Sequence, residues 1–241
     1  IVGSMPYIGF FSRADADAGA SKLEAQGYDV YVRTAGAYST LGWFQDPLLP
    51  DMLRWSEYAL ANTLFHELAH ATVWVPSSVQ FNESFAQFVG NEASMRYMVD
   101  KYGEQGEPVL EARARLHDGA VYKQVLHDVY GELARLYDSE ATHAQKLAAK
   151  RAILGSIPRR VAEADLQRPE RYVKAAEQGP WNNARLMQFR TYNRSHAWFQ
   201  AVLDAEGGDL LGFMRRIETV VDGADDPYEA LRQAAGVVQD S

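Results

Sequence analysis

The sequence predicts an α+β protein, mainly helical, with a small N-terminal β-sheet. Two observations carry the prediction. Short segments rich in aromatic and β-branched residues are confined to the first 45 residues, and beyond Pro47 and Pro50 apolar residues recur at helical spacing nearly to the C-terminus. The chain has 241 residues, 47% of them hydrophobic and 23% charged. That length and apolar content suffice for a sizeable core, and the charge is that of a globular protein rather than a disordered one.

The elements follow in order. Tyr7-Ile8-Gly9-Phe10-Phe11 reads as a short strand, residues 13–27 as a helix ending at Gly27, and Tyr28 to Arg33 as a second strand by its alternation. Ala35 to Phe44 reads as a further strand or an extended loop, with Gly42 as an interruption. Residues 56–74 place Leu60, Leu64, Leu68 and Ala71 on a helix that Pro76-Ser77-Ser78 ends. A second helix is expected from about Asn82 to Met98, with Phe85, Phe88, Val89 and Met95 as its apolar positions. Residues 108–155 read as two helices in an antiparallel hairpin, residues 156–180, with three prolines, as irregular, and residues 181–237 as two or three further helices. The expected organisation is a catalytic part over 1–103 that carries a metal site, a helical hairpin arm over 104–180, and a C-terminal helical part over 181–241 that completes the cleft. All three are expected to pack as one compact unit.

Composition excludes several classes. The formal net charge of -8 and pI of about 5.3 disfavour a phosphate-backbone partner, so no nucleic acid is expected. The absence of cysteine removes disulfides and thiol chemistry. No stretch reaches the length of a membrane span, so no transmembrane span is expected in this chain. Nothing fixes the oligomeric state.

The chemistry concentrates at His66-Glu67-Leu68-Ala69-His70. Residues four apart on a helix share a face, so His66 and His70 can aim two imidazoles at one ion. Glu67 sits about 100° further around the axis. It is poorly placed to ligate that ion but well placed to act as general base on a water beside it. Two histidines leave a catalytic site short of a third protein ligand. Glu83 is the best supplier, because the break at Pro76 lets the chain turn back and Glu83 opens the next helix; Asn82 before it is a good N-cap type. Glu92 is another acid on that helix, nine residues on and expected on the same face. Without cysteine the metal must be held by His and carboxylate, a set that favours one Zn²⁺ per chain.

With these residues in view, the chain resembles the bacterial family of predicted aminopeptidases, a small group of zincins. The resemblance is carried by Tyr7 to Phe11, Asp29-Val30-Tyr31-Val32, Ala37 to Phe44, Phe65 to His70, Phe81-Asn82-Glu83-Ser84-Phe85-Ala86, and Asn182-Asn183-Ala184 followed by Thr191-Tyr192. It implies a zincin-like catalytic core of the gluzincin type, with His66, His70 and Glu83 on zinc and Glu67 as base. It also implies a periplasmic protein or membrane-anchored lipoprotein facing the periplasm, with an export signal upstream of Ile1. Two features depart from related enzymes. Many gluzincins carry Asp four residues after the third ligand, where this chain has Gln87. The Gly-x-Met-Glu-Asn segment with which the large zinc aminopeptidases bind a substrate amino terminus is absent.

The expected function is therefore zinc-dependent hydrolysis of peptide bonds in a peptide or protein substrate. Glu67 takes the proton of the attacking water and returns it to the leaving amine. Tyr192 is the candidate oxyanion donor and His196, four residues on, the alternative. Asn182 and Asn183 either hydrogen-bond a peptide backbone or cap the helix that follows. Tyr38 to Trp43 is either an edge strand that pairs with substrate or core. The competing readings are a zinc endopeptidase of narrow specificity and a non-catalytic metal-binding protein that acts through the helical arm at 108–155.

Overall fold

The computed structural model describes residues 8–33, 50–76, 78–189 and 194–237. Among the described residues there is no β-strand. The expected α+β class, with its zincin core and N-terminal β-sheet, is overturned: this part of the chain is helix, turn and coil. The physical reason lies in where the two strand-like segments find their partners. Phe10 packs its ring over Gly19 of the helix that follows, where a Cβ would meet Phe10 Cζ at 2.8 Å, while Ile8 and Phe11 stand exposed. In the second segment, Asp29 accepts hydrogen bonds from Asn183 N–H (3.0 Å) and Lys150 Nζ (2.6 Å), and Val30 C=O accepts one from Asn182 Nδ2 (2.8 Å). The Asn182 side chain thus satisfies a backbone carbonyl that a neighbouring strand would have satisfied, and Asp29 is tied through its carboxylate to Lys150 and the Asn183 backbone amide. The expected strand or loop over residues 35–44 lies outside the described residues.

The chain divides into two compact units: residues 1–8, 35–110 and 193–241 in one, residues 9–34 and 111–192 in the other. The first holds the short 3₁₀ turn Pro50–Arg54 and helices α2 (Glu57–Thr72), α3 (Val79–Tyr102), α9 (Arg194–Ala205), α10 (Leu210–Val221) and α11 (Pro227–Ala234). The second holds α1 (Arg13–Glu24), α5 (His143–Gly155), α6 (Ile157–Ala162), α7 (Pro169–Glu177) and α8 (Asn183–Leu186). Helix α4 (Glu107–Asp138) begins in the first unit and runs through the second. No described helix is long and apolar enough to cross a membrane.

Local sequence explains most boundaries. Ser12 and Ser56 cap α1 and α2 through their hydroxyls, and Thr142 and Gln145 form a reciprocal capping box at the start of α5. The segment expected to be irregular, 156–180, contains α6 and α7 instead. Pro158 and Pro169 stand in their first turns, where a missing N–H costs nothing and the fixed φ favours the helix.

The first unit closes on a core of aromatic side chains. Phe81, Phe85 and Phe88 of α3 meet Phe199 of α9 and Phe213 of α10, all fully buried, with ring centroids 5.1–6.2 Å apart. This core holds one face of α3 and leaves the opposite face for α2. The second unit has its own core, built from Leu126, Val129 and Leu133 of α4 with Leu154, Ile157 and Val161.

Candidate metal centre

The site is built on α2 and α3. His66 and His70 occupy successive turns of α2, and their rings stand edge to face with centroids 4.7 Å apart. Their Nε2 atoms face each other at 3.1 Å. Glu83, in the second turn of α3, brings Oε2 to 3.5 Å from His66 Nε2 and Oε1 to 3.6 Å from His70 Nε2. These three residues form the one group of His and acidic side chains among the described residues with metal-ligand geometry.

The group is one that could hold a metal ion. Ligand atoms roughly 2.0–2.1 Å from a tetrahedral ion stand about 3.3–3.4 Å from one another. The two Nε2 atoms stand 3.1 Å apart, and the 3.5 and 3.6 Å separations reach different oxygens of Glu83, so one ligand atom from each residue lies within 4.8 Å of the others. His70 is 5% exposed and Glu83 55% exposed, so the site has a buried floor and an open side. Burial pushes the His70 imidazole below its ordinary pKa, against the pull of Glu83, while His66 adds to the depression and Glu67 opposes it. The neutral ring is the form that binds a metal. His70 Nδ1 is buried without a hydrogen-bond partner among the described residues. Trp74 packs against the same ring at 5.8 Å.

The turn that returns the chain from His70 to Glu83 depends on Asn82. The expected N-cap role is corrected here: α3 starts earlier, at Val79, and Asn82 lies inside its first turns. Asn82 is 1% exposed and grips Val75 with both ends of its amide. Val75 N–H donates to Asn82 Oδ1 and Asn82 Nδ2 donates to Val75 C=O, both at 2.9 Å. The residue beside Asn82 is thereby fixed against α2.

The other expected residues fall in different places. Glu67 is half-buried on α2, close enough to His70 to act on it through charge. Glu92 stands nine residues beyond Glu83, about half a turn away around the helix, and pairs with Arg96 at 3.8 Å. His196 is exposed on α9 in the same unit as the candidate ligands His66, His70 and Glu83, its ring edge-on to Phe88 at 5.2 Å. Tyr192 lies outside the described residues. Asn182 and Asn183 belong to the second unit. Asn182 caps α8 by accepting from Arg185 N–H at 2.9 Å, and Asn183 Oδ1 accepts from Tyr137 O–H at 2.9 Å. The Asn182 bond is a helix cap, and the Asn183 bond ties α8 to α4.

Sequence reasoning also passed over Gly90 and Asn91. Gly90 lies two turns after Glu83 on the same face of α3, and a Cβ there would meet Asn62 C=O at 3.0 Å and His66 Cβ at 3.3 Å. Asn91 Oδ1 accepts from Asn62 Nδ2 and Gln87 Nε2, each at 2.9 Å. A small residue at this spacing from Glu83 was the available signal for close helix approach.

A family model described as putative aminopeptidase matches residues 1–231. No curated protein and no solved structure matches the chain.

Proposed function

Because the chain belongs to the putative aminopeptidase family, we propose that it is a zinc-dependent peptidase whose metal is held by His66, His70 and Glu83. Family membership supports a peptide-bond hydrolase. The single observation that supports the finer reading is the convergence of His66 Nε2, His70 Nε2 and the Glu83 carboxylate, one ligand atom from each lying within 4.8 Å of the others. Zinc in such a site lowers the pKa of water towards neutrality and polarises a carbonyl.

The chain's own residues supply the rest. His66 and His70 bind through Nε2 as neutral rings, and Glu83 contributes charge from the second helix. Three protein ligands would leave room on a bound ion for water or substrate, and the exposed Glu83 carboxylate gives the group a solvent-facing side. Glu67 follows His66 directly, so its carboxylate accepts the proton of the attacking water and hands it to the leaving amine. Tyr192 and His196 are the candidate donors to the oxyanion. Whether cleavage trims amino termini or cuts internally is read from the product ends.

The test is cleavage of a mixed peptide library by the wild type and by Glu67→Gln. Loss of a general base lowers the rate by roughly 10²–10⁴-fold while the three ligands remain. Equal turnover by both proteins would remove Glu67 from the mechanism. Absence of turnover by zinc-loaded wild type would favour a metal-binding role without catalysis.

A further inference from the structure

The polar stripe that carries the metal ligands extends beyond them. On α2 it starts with Tyr58 and Asn62, two and one turns before His66, and on α3 it continues from Glu83 through Gln87 to Asn91. The two stripes meet at Asn91. Its Oδ1 accepts from Asn62 Nδ2 and Gln87 Nε2, each at 2.9 Å, and from Tyr58 O–H at 3.4 Å. Beside it, Gly90 lets α3 touch the backbone of α2 and the Cβ of His66.

We infer that Asn91, with Gly90 beside it, is a positioning residue that sets the distance between His66 on one helix and Glu83 on the other. The inference rests on the proposed metal reading. His66 and His70 share a helix, so their 3.1 Å separation is a property of α2 alone. The 3.5 and 3.6 Å separations from Glu83 cross between helices and depend on how closely α2 and α3 approach. Metal–ligand distances tolerate only about ±0.2 Å, so a small change in helix spacing is felt at the ion. Gly90 sets how near the helices come, and the amide junction at Asn91 fixes their rotation and register. Gln87 donates to Asn91 rather than to a ligand histidine, so it acts on the site through that junction.

The experiment measures zinc affinity by competition with a chelator, on the full chain and on Asn91→Leu, Asn91→Asp and Gly90→Ala. The absorption spectrum of the cobalt-loaded proteins and the melting temperature of the metal-free ones accompany it. Asn91→Leu and Gly90→Ala are expected to bind zinc about 10–100-fold more weakly, the usual effect of removing an outer-shell support. Their cobalt spectra should depart from that of the wild type. Asn91→Asp keeps the acceptor for Asn62 and Gln87, and its affinity and spectrum should stay close to wild type. A lower melting temperature in Asn91→Leu with unchanged zinc affinity and cobalt spectrum would overturn the inference, because that is the signature of a purely structural residue. If Gly90→Ala does not fold, the Asn91 pair decides. If the wild type binds neither zinc nor cobalt, the metal reading falls and this inference with it. Wild-type binding matched by Asn91→Leu removes the inference alone.

Discussion

Replacing Asn82 by alanine removes the clamp that closes the turn between His70 and Glu83. Asn82 is 1% exposed and Val75 8% exposed, so little water can replace the lost amide. Two hydrogen bonds of 2.9 Å disappear: the N–H of Val75 is left without a partner, and its C=O keeps only the 3.3 Å bond from Ser78 N–H. A buried polar group deprived of its partner costs about 1–3 kcal/mol, which puts the pair at about 2–4 kcal/mol after partial relaxation. In a chain of this size each kcal/mol moves the melting temperature by roughly 2–4 °C, so Asn82→Ala should melt roughly 5–15 °C below wild type. Circular dichroism of the helical signal in metal-free protein reads this directly. Zinc affinity should fall as well, because the residue after Asn82 is the proposed ligand Glu83. A melting temperature within about 2 °C of wild type would refute the reasoning, since even one orphaned buried group predicts more than that.

Two further expectations concern carboxylates. Burial pushes the Asp118 carboxyl up, but hydrogen bonds from Gln167 N–H (2.7 Å), His117 Nδ1 (3.1 Å) and Arg168 N–H (2.7 Å) outweigh it and hold the group below the ordinary aspartate value of 3.8. Asp118→Ala should therefore cost about 2–4 kcal/mol at neutral pH. The contribution of a depressed carboxyl is complete above its unfolded value and is lost as pH falls through the folded one, so melting curves of wild type and variant should converge in acid below about pH 4. Convergence at higher pH would show the network is not what holds Asp118. Glu57, at the start of α2, receives Lys101 Nζ at 2.5 Å together with the hydroxyls of Tyr102 and Tyr97, and these partners hold its carboxyl down to about 2. Its carbon resonance should titrate near that value, and a midpoint close to 4.5 would show that the cluster does not persist in solution.

What the sequence made legible was the part governed by local spacing. Two histidines four apart, the break at Pro76 and an acid at the start of the next helix lead directly to the group that α2 and α3 assemble. The N-terminal sheet was misread because β propensity describes fit to a pleated surface, and among the described residues no neighbouring strand stands beside residues 28–33. Their groups are taken by Lys150, Asn182 and Asn183, more than a hundred residues away, which no local pattern encodes. Asn82 was recognised as a residue with a structural duty but given the wrong one, because a cap and a clamp draw on the same amide. The prolines at 158 and 169 looked like breaks, yet in a first turn they begin helices.

The account stands most directly on metal content. Elemental analysis of the purified chain, after zinc has been offered to metal-free protein and excess removed, should give about one zinc per chain in wild type and almost none in His70→Ala, since a two-ligand remnant is not a closed catalytic set. Wild type without zinc, or His70→Ala with the full complement, would contradict the assignment of His66, His70 and Glu83 as the metal site.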